Sequence, residues 1–252
     1  MIEVSSASDI GRVRTSNEDS CGVFSPAVYV VADGLGGHAA GEVASRIVVA
    51  AVHDMANAGE PIDTAALKSA VLRANQQVLD AAAKNSAYEG MGSTATVLHI
   101  DEEAQTACYA HVGDSRLYLL RGGALRRISR DHSYVEELVA RGELSEAEAQ
   151  HHPRKNYLLR AVGVEERLHV DGDTFPVMAG DRFLLATDGL TNMDRFVICS
   201  DGLSALVSEP VIESVVRSAR PPRQVARELV DRALAAGGTD NVTAIVIACD
   251  PS

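Results

Sequence analysis

Aspartates beside glycine or asparagine recur at the predicted ends of β-strands, and their carboxylates could bind a metal ion. These positions are Asp33-Gly34, Asp114 within residues 113–116, Asp188-Gly189 or Asp201-Gly202, and Asp240-Asn241. A strand end fixes the carboxylate, and a following glycine lets the backbone turn and approach a ligand closely. Several such ends at one edge of a β-sandwich would form an oxygen-rich pocket suited to Mg²⁺ or Mn²⁺. A single Asp-Gly pair is more often an ordinary turn, so the prediction depends on the joint pattern.

The elements that would position these aspartates follow from hydrophobic periodicity. Short apolar, β-branched runs predict strands, and apolar residues at helical spacing predict amphipathic helices. The predicted strands cover residues 27–32, 94–100, 106–112, 116–121, 125–128, 168–170, 175–177 and 242–248, and the predicted helices cover 41–57, 65–83 and 224–236. Strands in contiguous blocks, without strict βαβ alternation, favour an α+β layered sandwich over a doubly wound sheet.

A short duplication leaves two candidates for one of the site aspartates. Residues 181–190 are nearly repeated at 194–203, which places Asp188 and Asp201 13 positions apart. The pattern is typical of one strand plus its terminal Asp-Gly turn, copied once. We favour Asp188 narrowly, because its strand follows the preceding hairpin directly. The second copy is equally continuous with the segment downstream, so Asp201 stays a candidate.

Residues 131–156 differ from the rest of the chain. The segment is charged, contains histidines, and shows only a short helical stretch at 134–141. We predict that it is a surface flap within a single domain over residues 1–252. The four cysteines lie far apart without any CxxC pair, so we expect free thiols rather than a zinc knuckle or a disulfide scaffold.

The charge balance limits the classes of partner. The 252-residue chain carries 23 Lys and Arg against 35 Asp and Glu, a net charge of −12. Nucleic acid or an anionic membrane requires a basic face, so we expect no binding to either. No run of ~18 apolar residues occurs, and the first residues lack the basic and apolar regions of a secretory signal. We therefore expect a cytoplasmic protein.

Seven blocks of sequence occur in an order typical of one enzyme family. They are residues 17–19 (NED), 31–38 (VADGLGGH), 91–94 (MGST), 111–116 (HVGDSR), 131–133 (DHS), the repeated Asp-Gly segment and 238–243 (GTDNVT). From about residue 4 to residue 248 the chain resembles the metal-dependent Ser/Thr protein phosphatases of type 2C (PPM), most closely the compact bacterial members. The resemblance implies one catalytic domain, an α-β-β-α sandwich of four layers whose central antiparallel β-sandwich is flanked by helix pairs.

The resemblance also implies the ligands of a cluster of two Mn²⁺ or Mg²⁺ ions. Asp33 would bridge the two ions, and the carbonyl of Gly34 would bind one of them. Asp240 and either Asp188 or Asp201 would complete the protein ligands.

Three further residues match positions with known roles in the family. Asp19 would hold metal-bound waters, Asp114 would help to bind a third and weaker ion, and Arg14 would clamp the substrate phosphate. Two divalent ions ~3.5–4 Å apart can lower the pKa of a shared water to roughly 7, giving a hydroxide that attacks phosphorus. The guanidinium of Arg14 can hold two phosphate oxygens in a bidentate fork.

Protonation of the leaving alkoxide has no clear protein donor. Some animal relatives carry a histidine directly after the first Asp-Gly, where this chain has Leu35. Metal-bound water is then the expected donor. We interpret His38 as a loop-stabilising residue and His111 as a structural histidine of the sheet, whereas His132 lies in the predicted flap, where it could contact substrate.

Other classes of enzyme or nucleotide-binding protein fit the sequence less well. Residues 34–39 satisfy GxGxxA after a strand, with Asp54 20 positions later, as in dinucleotide-binding units. However, Asp33 would repel a pyrophosphate, and Asp54 falls within a predicted helix. No cysteine has an arginine six positions later, and no GxxxxGK[ST] occurs, which excludes cysteine-nucleophile phosphatases and P-loop NTPases.

The expected function is therefore Mg²⁺- or Mn²⁺-dependent hydrolysis of phosphoserine and phosphothreonine in proteins. Its partners would be phosphoproteins and a cognate bacterial Ser/Thr kinase, and we expect a monomer. The alternative is an inactive phosphatase-like binding module whose site is disturbed by the duplication at 181–203.

Overall fold

The computed structural model describes residues 1–36, 40–150, 152–191 and 209–249. The strands are β1 Ile2–Asp9, β2 Ser20–Phe24, β3 Val28–Ala32, β4 Gly34–Leu35, β5 Gly92–Ser93, β6 Ala95–Asp101, β7 Thr106–Val112, β8 Arg116–Arg121, β9 Ala124–Arg127, β10 Thr174–Pro176, β11 Arg182–Ala186 and β12 Val242–Cys249. The helices are α1 Ala40–Ala56, α2 Thr64–Lys84, α3 Tyr134–Ala140, α4 Glu146–Gln150, α5 Asp188–Thr191, α6 Glu209–Val216 and α7 Pro222–Ala235. None of the helices in these ranges is long and apolar enough to cross a membrane.

Two antiparallel five-stranded sheets form the centre of the fold. Their strand orders are β1-β12-β11-β8-β9 and β10-β7-β6-β3-β2, and β4 pairs separately with β5. Side chains from both sheets, such as Val31 and Leu98 from one and Leu185 and Ile247 from the other, fill the space between them. Burial of these apolar faces against each other holds the sandwich together.

Helices cover the outer face of each sheet. On one side, α1 and α2 pack against the sheet that contains β3 and β6, through residues such as Val48 and Val71. On the other side, α6 and α7 pack against β11 and β12, through Ile212 and Leu229. The layers are therefore α-β-β-α, and the predicted α+β sandwich is confirmed.

Several sequence-based predictions of local structure were wrong. Residues 168–170 form no strand, although Leu168 and Val170 are buried in the core beside α2. Strand β1 was not predicted, because its serines hide the apolar signal of a strand at the sheet edge. Asp188-Gly189 begins the short helix α5 instead of a turn.

The predicted flap at 131–156 also differs from a simple surface loop. It contains α4 as well as α3, and its first three residues, Asp131, His132 and Ser133, are buried. The second copy of the duplication and His38 lie outside the described residues. In the described part of the chain Cys21 and Cys108 are free thiols, as expected.

Candidate active site

Five of the predicted site aspartates lie together at one edge of the sandwich. Asp19 precedes β2, Asp33 follows β3, and Asp114 lies between β7 and β8. Asp188 follows β11, and Asp240 precedes β12. Asp19 and Asp114 are buried, and the other three are half-buried. The charges of Asp188, Asp19 and Asp114 all act on Asp33, and the charge of Asp240 acts on Asp19 and Asp188. Asp201 lies outside the described residues.

The carboxyl groups of Asp33 and Asp188 lie close enough to share a hydrogen bond when one of them is protonated. Burial, followed by the charge of Asp188, raises the pKa of Asp33 well above its usual range, and burial likewise raises the pKa of Asp188. The backbone of Asp33 is fixed by Thr94, since its N–H donates to Thr94 Oγ1 at 2.8 Å and its carbonyl accepts from the Thr94 N–H at 2.9 Å. A proton or a cation between the two carboxyl groups would relieve their mutual repulsion.

Asp19 has one bonded and one unsatisfied carboxylate oxygen. Its Oδ2 accepts hydrogen bonds from Thr187 Oγ1 at 2.8 Å and Thr243 Oγ1 at 2.6 Å. Its Oδ1 is buried without a hydrogen-bond partner among the described residues, and the same holds for Oδ1 of Asp188. Burial raises the pKa of Asp19 to about 7, although both threonines lower it. Unpaired buried oxygens are costly, and they point to a ligand that would satisfy them.

Arg14 lies beside the aspartates on the segment between β1 and β2. Its Nη2 donates to Oδ2 of Asp240 at 2.8 Å, and this bond raises the pKa of the guanidinium. Asn241 fixes the segment, because its Nδ2 donates to the carbonyls of Ile10 and Ser16 and its Oδ1 accepts from the N–H of Glu18. The Arg14 guanidinium remains half-exposed and accessible to a ligand.

The donor chemistry fits a hard divalent cation, although the ligands are not grouped around one. Within the described ranges, no three His, Cys, Asp or Glu side chains are arranged to hold a metal ion. The carboxylates are paired instead, Asp33 with Asp188 and Asp240 with Arg14. Carboxylate oxygens are the preferred ligands of Mg²⁺ and Mn²⁺. Oδ1 of Asp19 and Oδ1 of Asp188, which no other described residue satisfies, could take this role. Metal binding at Asp240 would require its ion pair with Arg14 to open.

Several supporting residues were not predicted from the sequence. Thr94, Thr187 and Thr243 hold Asp33 and Asp19, and Asn241 holds the segment that carries Arg14. Glu18 also lies at the site, where burial raises the pKa of its carboxyl and Arg14 lowers it. The available signal was proximity along the chain. The motif blocks that contain the aspartates also contain Glu18, Thr94, Asn241 and Thr243.

His111 and His132 are buried and bonded to other groups of the protein. His111 in β7 is fully buried, as predicted for a sheet histidine, and its ring bonds to Thr96 Oγ1 and to the Arg130 carbonyl. Burial, aided by the nearby His132, lowers the pKa of His111 to about 3, so its ring is neutral. His132 is also buried and bonds to Gly113 and Asp171.

Comparison with known proteins identifies the family of this chain. The Protein phosphatase 2C family matches residues 12–236. Serine/threonine phosphatase stp of Listeria monocytogenes is 38% identical over 251 residues, which cover 96% of this chain and 94% of the relative. The crystal structure of the serine/threonine phosphatase PstP/Ppp of Mycobacterium tuberculosis has a TM-score of 0.87 at 32% identity, covering 99% of both chains.

A second similar structure contains metal ions. It is the catalytic domain of the serine threonine protein phosphatase PstP in complex with two manganese ions, with a TM-score of 0.85 at 31% identity over 99% of both chains. The shared fold extends over the elements that carry the five aspartates. By sequence and by structure, this chain belongs to the protein phosphatase 2C family and is an enzyme of that family.

Proposed function

We propose that this chain is a Mn²⁺- or Mg²⁺-dependent phosphatase that hydrolyses phosphoserine and phosphothreonine in cytoplasmic proteins and opposes a bacterial Ser/Thr kinase. It would act as a monomer and as one catalytic domain over residues 1–252. The observation that carries the proposal is the cluster of five aspartates beside Arg14, in which buried oxygens of Asp19 and Asp188 have no partner in the part of the chain that the structure describes. The names of the relatives support the substrate class.

The residues that would hold the metal ions are those at the strand ends. Asp33 would bridge two core ions, with the Gly34 carbonyl, Asp188 and Asp240 as the remaining ligands. Asp201 stays the alternative to Asp188. When bound, the paired cations would supply positive charge to a phosphate dianion and acidify a water to provide the nucleophile.

The protein's own side chains would orient the cluster and the substrate. Thr187 and Thr243 hold Oδ2 of Asp19, whereas its Oδ1 has no partner among the described residues. Asp114, buried among the other carboxylates, would help to hold a third, weaker ion. Arg14 would exchange its bond to Asp240 for a bidentate contact with the phosphate, which frees Asp240 for a cation.

Leaving-group protonation would not come from the buried histidines. The ring of His111 has partners at both nitrogens and no exposed surface. Leu35 stands where some relatives carry a histidine, so we expect a solvent molecule at the site to protonate the alkoxide.

The decisive experiment measures hydrolysis of a phosphothreonine peptide with Mn²⁺, Mg²⁺ or a chelator. We expect turnover with either ion and its loss with the chelator and in the Asp33→Ala variant. Peptide binding without turnover would instead favour the inactive binding module, an alternative that the comparisons do not support. Activity that survives chelation would overturn the proposed metal dependence.

A further inference from the structure

The crossover between the two sheets carries Asp114. Strand β7 belongs to one sheet and β8 to the other, and residues 113–115 connect them. Gly113 has a φ of +105°, and a Cβ added there would lie 2.5 Å from the Thr94 side chain, so only glycine fits. The position of the buried Asp114 carboxyl therefore depends on how the residues on either side are held.

Hydrogen bonds fix both neighbours of Asp114. On one side, Ser115 Oγ bonds to Thr94 Oγ1 at 2.7 Å, and the Ser115 carbonyl accepts from Thr96 Oγ1 at 2.9 Å. On the other side, His132 binds Gly113 twice. The backbone N–H of Gly113 donates to His132 Nδ1 at 3.1 Å, and the backbone N–H of His132 donates to the Gly113 carbonyl at 2.7 Å.

The tautomer and orientation of His132 follow from its partners. Because Nδ1 accepts from a backbone N–H, the neutral ring carries its proton on Nε2 and donates it to Oδ2 of Asp171 at 3.1 Å. The other oxygen of Asp171 accepts from Arg160 at 2.8 Å, and the backbone of Asp171 pairs with His111 in β7. Only 1% of the His132 side chain is exposed, so water does not compete for these bonds.

The same histidine closes the base of the segment that we predicted to be a flap. The Leu159 N–H donates to the His132 carbonyl, and the Tyr134 N–H donates to the Tyr157 carbonyl, both at 2.8 Å. The base of segment 131–156 is thus connected through His132 to Gly113, the residue directly before Asp114.

We propose that His132 is a positioning residue that holds Asp114 in place for the weaker metal ion through its bond to the Gly113 N–H. The inference rests on the proposed function. Groups that orient metal ligands typically change metal affinity or activity about 10- to 100-fold when removed. Loss of the Gly113 bond should therefore weaken Mn²⁺ binding at Asp114 and lower kcat about tenfold or more, with little change in KM for the peptide.

Two variants distinguish the hydrogen bond at Nδ1 of His132 from the hydrogen bond at its Nε2. In His132→Asn, the amide oxygen can occupy the Nδ1 position and keep the bond to Gly113. In His132→Gln, the amide reaches toward Asp171 and the Gly113 bond is lost. His99→Asn is the control, because His99 is a buried histidine of β6 that contacts the Ala27 carbonyl at the far end of the sheet.

The readouts are hydrogen exchange of the Gly113 amide in the metal-free protein, Mn²⁺ affinity by calorimetry, and kcat and KM. We expect faster Gly113 exchange and about tenfold weaker binding of the last Mn²⁺ in His132→Gln, with near-normal values in His132→Asn and His99→Asn. Equal losses in the Asn and Gln variants, or faster Gly113 exchange in His132→Gln with unchanged Mn²⁺ affinity, would overturn the positioning role. A wild-type protein that binds Mn²⁺ but does not hydrolyse the peptide would overturn the proposed function instead, and the Mn²⁺ affinities would still decide the role of His132.

Discussion

Arg14 donates from Nη2 to Oδ2 of Asp240 at 2.8 Å, although the two residues are 226 positions apart. The pair connects the residue proposed to bind phosphate with a residue proposed to bind metal. While this ion pair is formed, the Arg14 guanidinium is not free to bind phosphate and the Asp240 carboxylate is not free to bind a metal ion. Binding of a cation and of a phosphate should therefore release the pair together.

Removal of Arg14 should affect phosphate binding more than metal binding. A hydrogen bond to a charged group contributes about 1.5–3 kcal/mol, so we expect Arg14→Ala to raise KM about 10- to 100-fold. Arg14→Lys should restore little of this loss, because an ammonium cannot form the bidentate fork. Mn²⁺ affinity without substrate should stay the same or increase, because Asp240 is then free. Weaker Mn²⁺ binding in Arg14→Ala would show that the arginine supports the metal site itself.

Neutralisation of Asp33 should abolish activity and stabilise the metal-free protein. Asp33→Asn removes the proposed bridging ligand, and we expect kcat to fall by more than about 100-fold, the upper range for groups that only orient a ligand. It also removes a carboxyl that is crowded by Asp188 and Asp19. The melting temperature without metal should rise by about 2–4 °C for each kcal/mol of repulsion relieved.

A matched control removes an exposed carboxylate. Glu60→Gln changes the net charge by the same amount, but Glu60 is exposed at the connection between α1 and α2. We expect wild-type activity and an unchanged melting temperature in this variant. A fall in the metal-free melting temperature of Asp33→Asn would contradict the crowding of the carboxyl groups.

The stability of the metal-free protein should depend on pH through Asp19. The pKa of Asp19 is raised from 3.8 to about 7 in the folded protein, so the folded state binds a proton that the unfolded chain lacks between about pH 4 and 7. The Asp19 contribution to stability therefore increases as the pH falls through this range, by up to about 1.4 kcal/mol per pH unit. Bound Mn²⁺ should remove this gain, because it keeps the carboxylate ionised.

The Asp19→Asn variant isolates this contribution from the rest of the molecule. His111 acts in the opposite direction, because its lowered pKa makes the folded state less stable as the pH falls below about 6.5. The difference in unfolding free energy between wild type and Asp19→Asn cancels the effect of His111. Urea unfolding from pH 8 to pH 5 should show wild type gaining stability relative to the variant; a constant difference would rule out the raised pKa.

The aspartates at strand ends could be predicted because strand signals and Asp-Gly pairs are local in sequence. Two apolar runs, which form β3 and β11, stop just before Asp33-Gly34 and Asp188-Gly189. The sequence therefore indicates that the carboxyl groups of Asp33 and Asp188 lie at the ends of strands. The long amphipathic helices α1 and α2 were predictable for the same reason. Their caps are also local, as in the bond from Ala66 N–H to Asp63.

The supporting hydrogen bonds could not be predicted, because they join residues that are distant in sequence. Thr187 reaches Asp19 across 168 positions, and Asn241 reaches Ser16 across 225. Strand β1 gave little signal because its stability comes from pairing with β12 rather than from its own composition. The sequence predicts His132 only as a flap residue, because no local pattern indicates a contact with Gly113.

The duplication offers a direct test of which copy binds metal. The carboxyl group of Asp188 lies beside that of Asp33, and its buried Oδ1 has no partner in the described part of the chain. Both observations favour the first copy as the proposed ligand. We expect Asp188→Asn to raise the Mn²⁺ concentration for half-maximal activity about tenfold or more, and Asp201→Asn to leave it unchanged. The reverse result would assign the metal site to the second copy.

Substitution of Gly189 or Gly202, which follow Asp188 and Asp201, tests the same question through the free energy of unfolding. This measurement does not depend on metal. A Cβ on Gly189 would overlap the carbonyl oxygen of Asn241, which leads into β12. Overpacking of this kind costs about 1–3 kcal/mol, so Gly189→Ala should lower the unfolding free energy by about that amount. If the first copy is the one built into the sheet, Gly202→Ala should have a smaller effect. Equal destabilisation by both substitutions would mean that both copies are packed against the sandwich, and the choice of ligand would then depend on the aspartate variants alone.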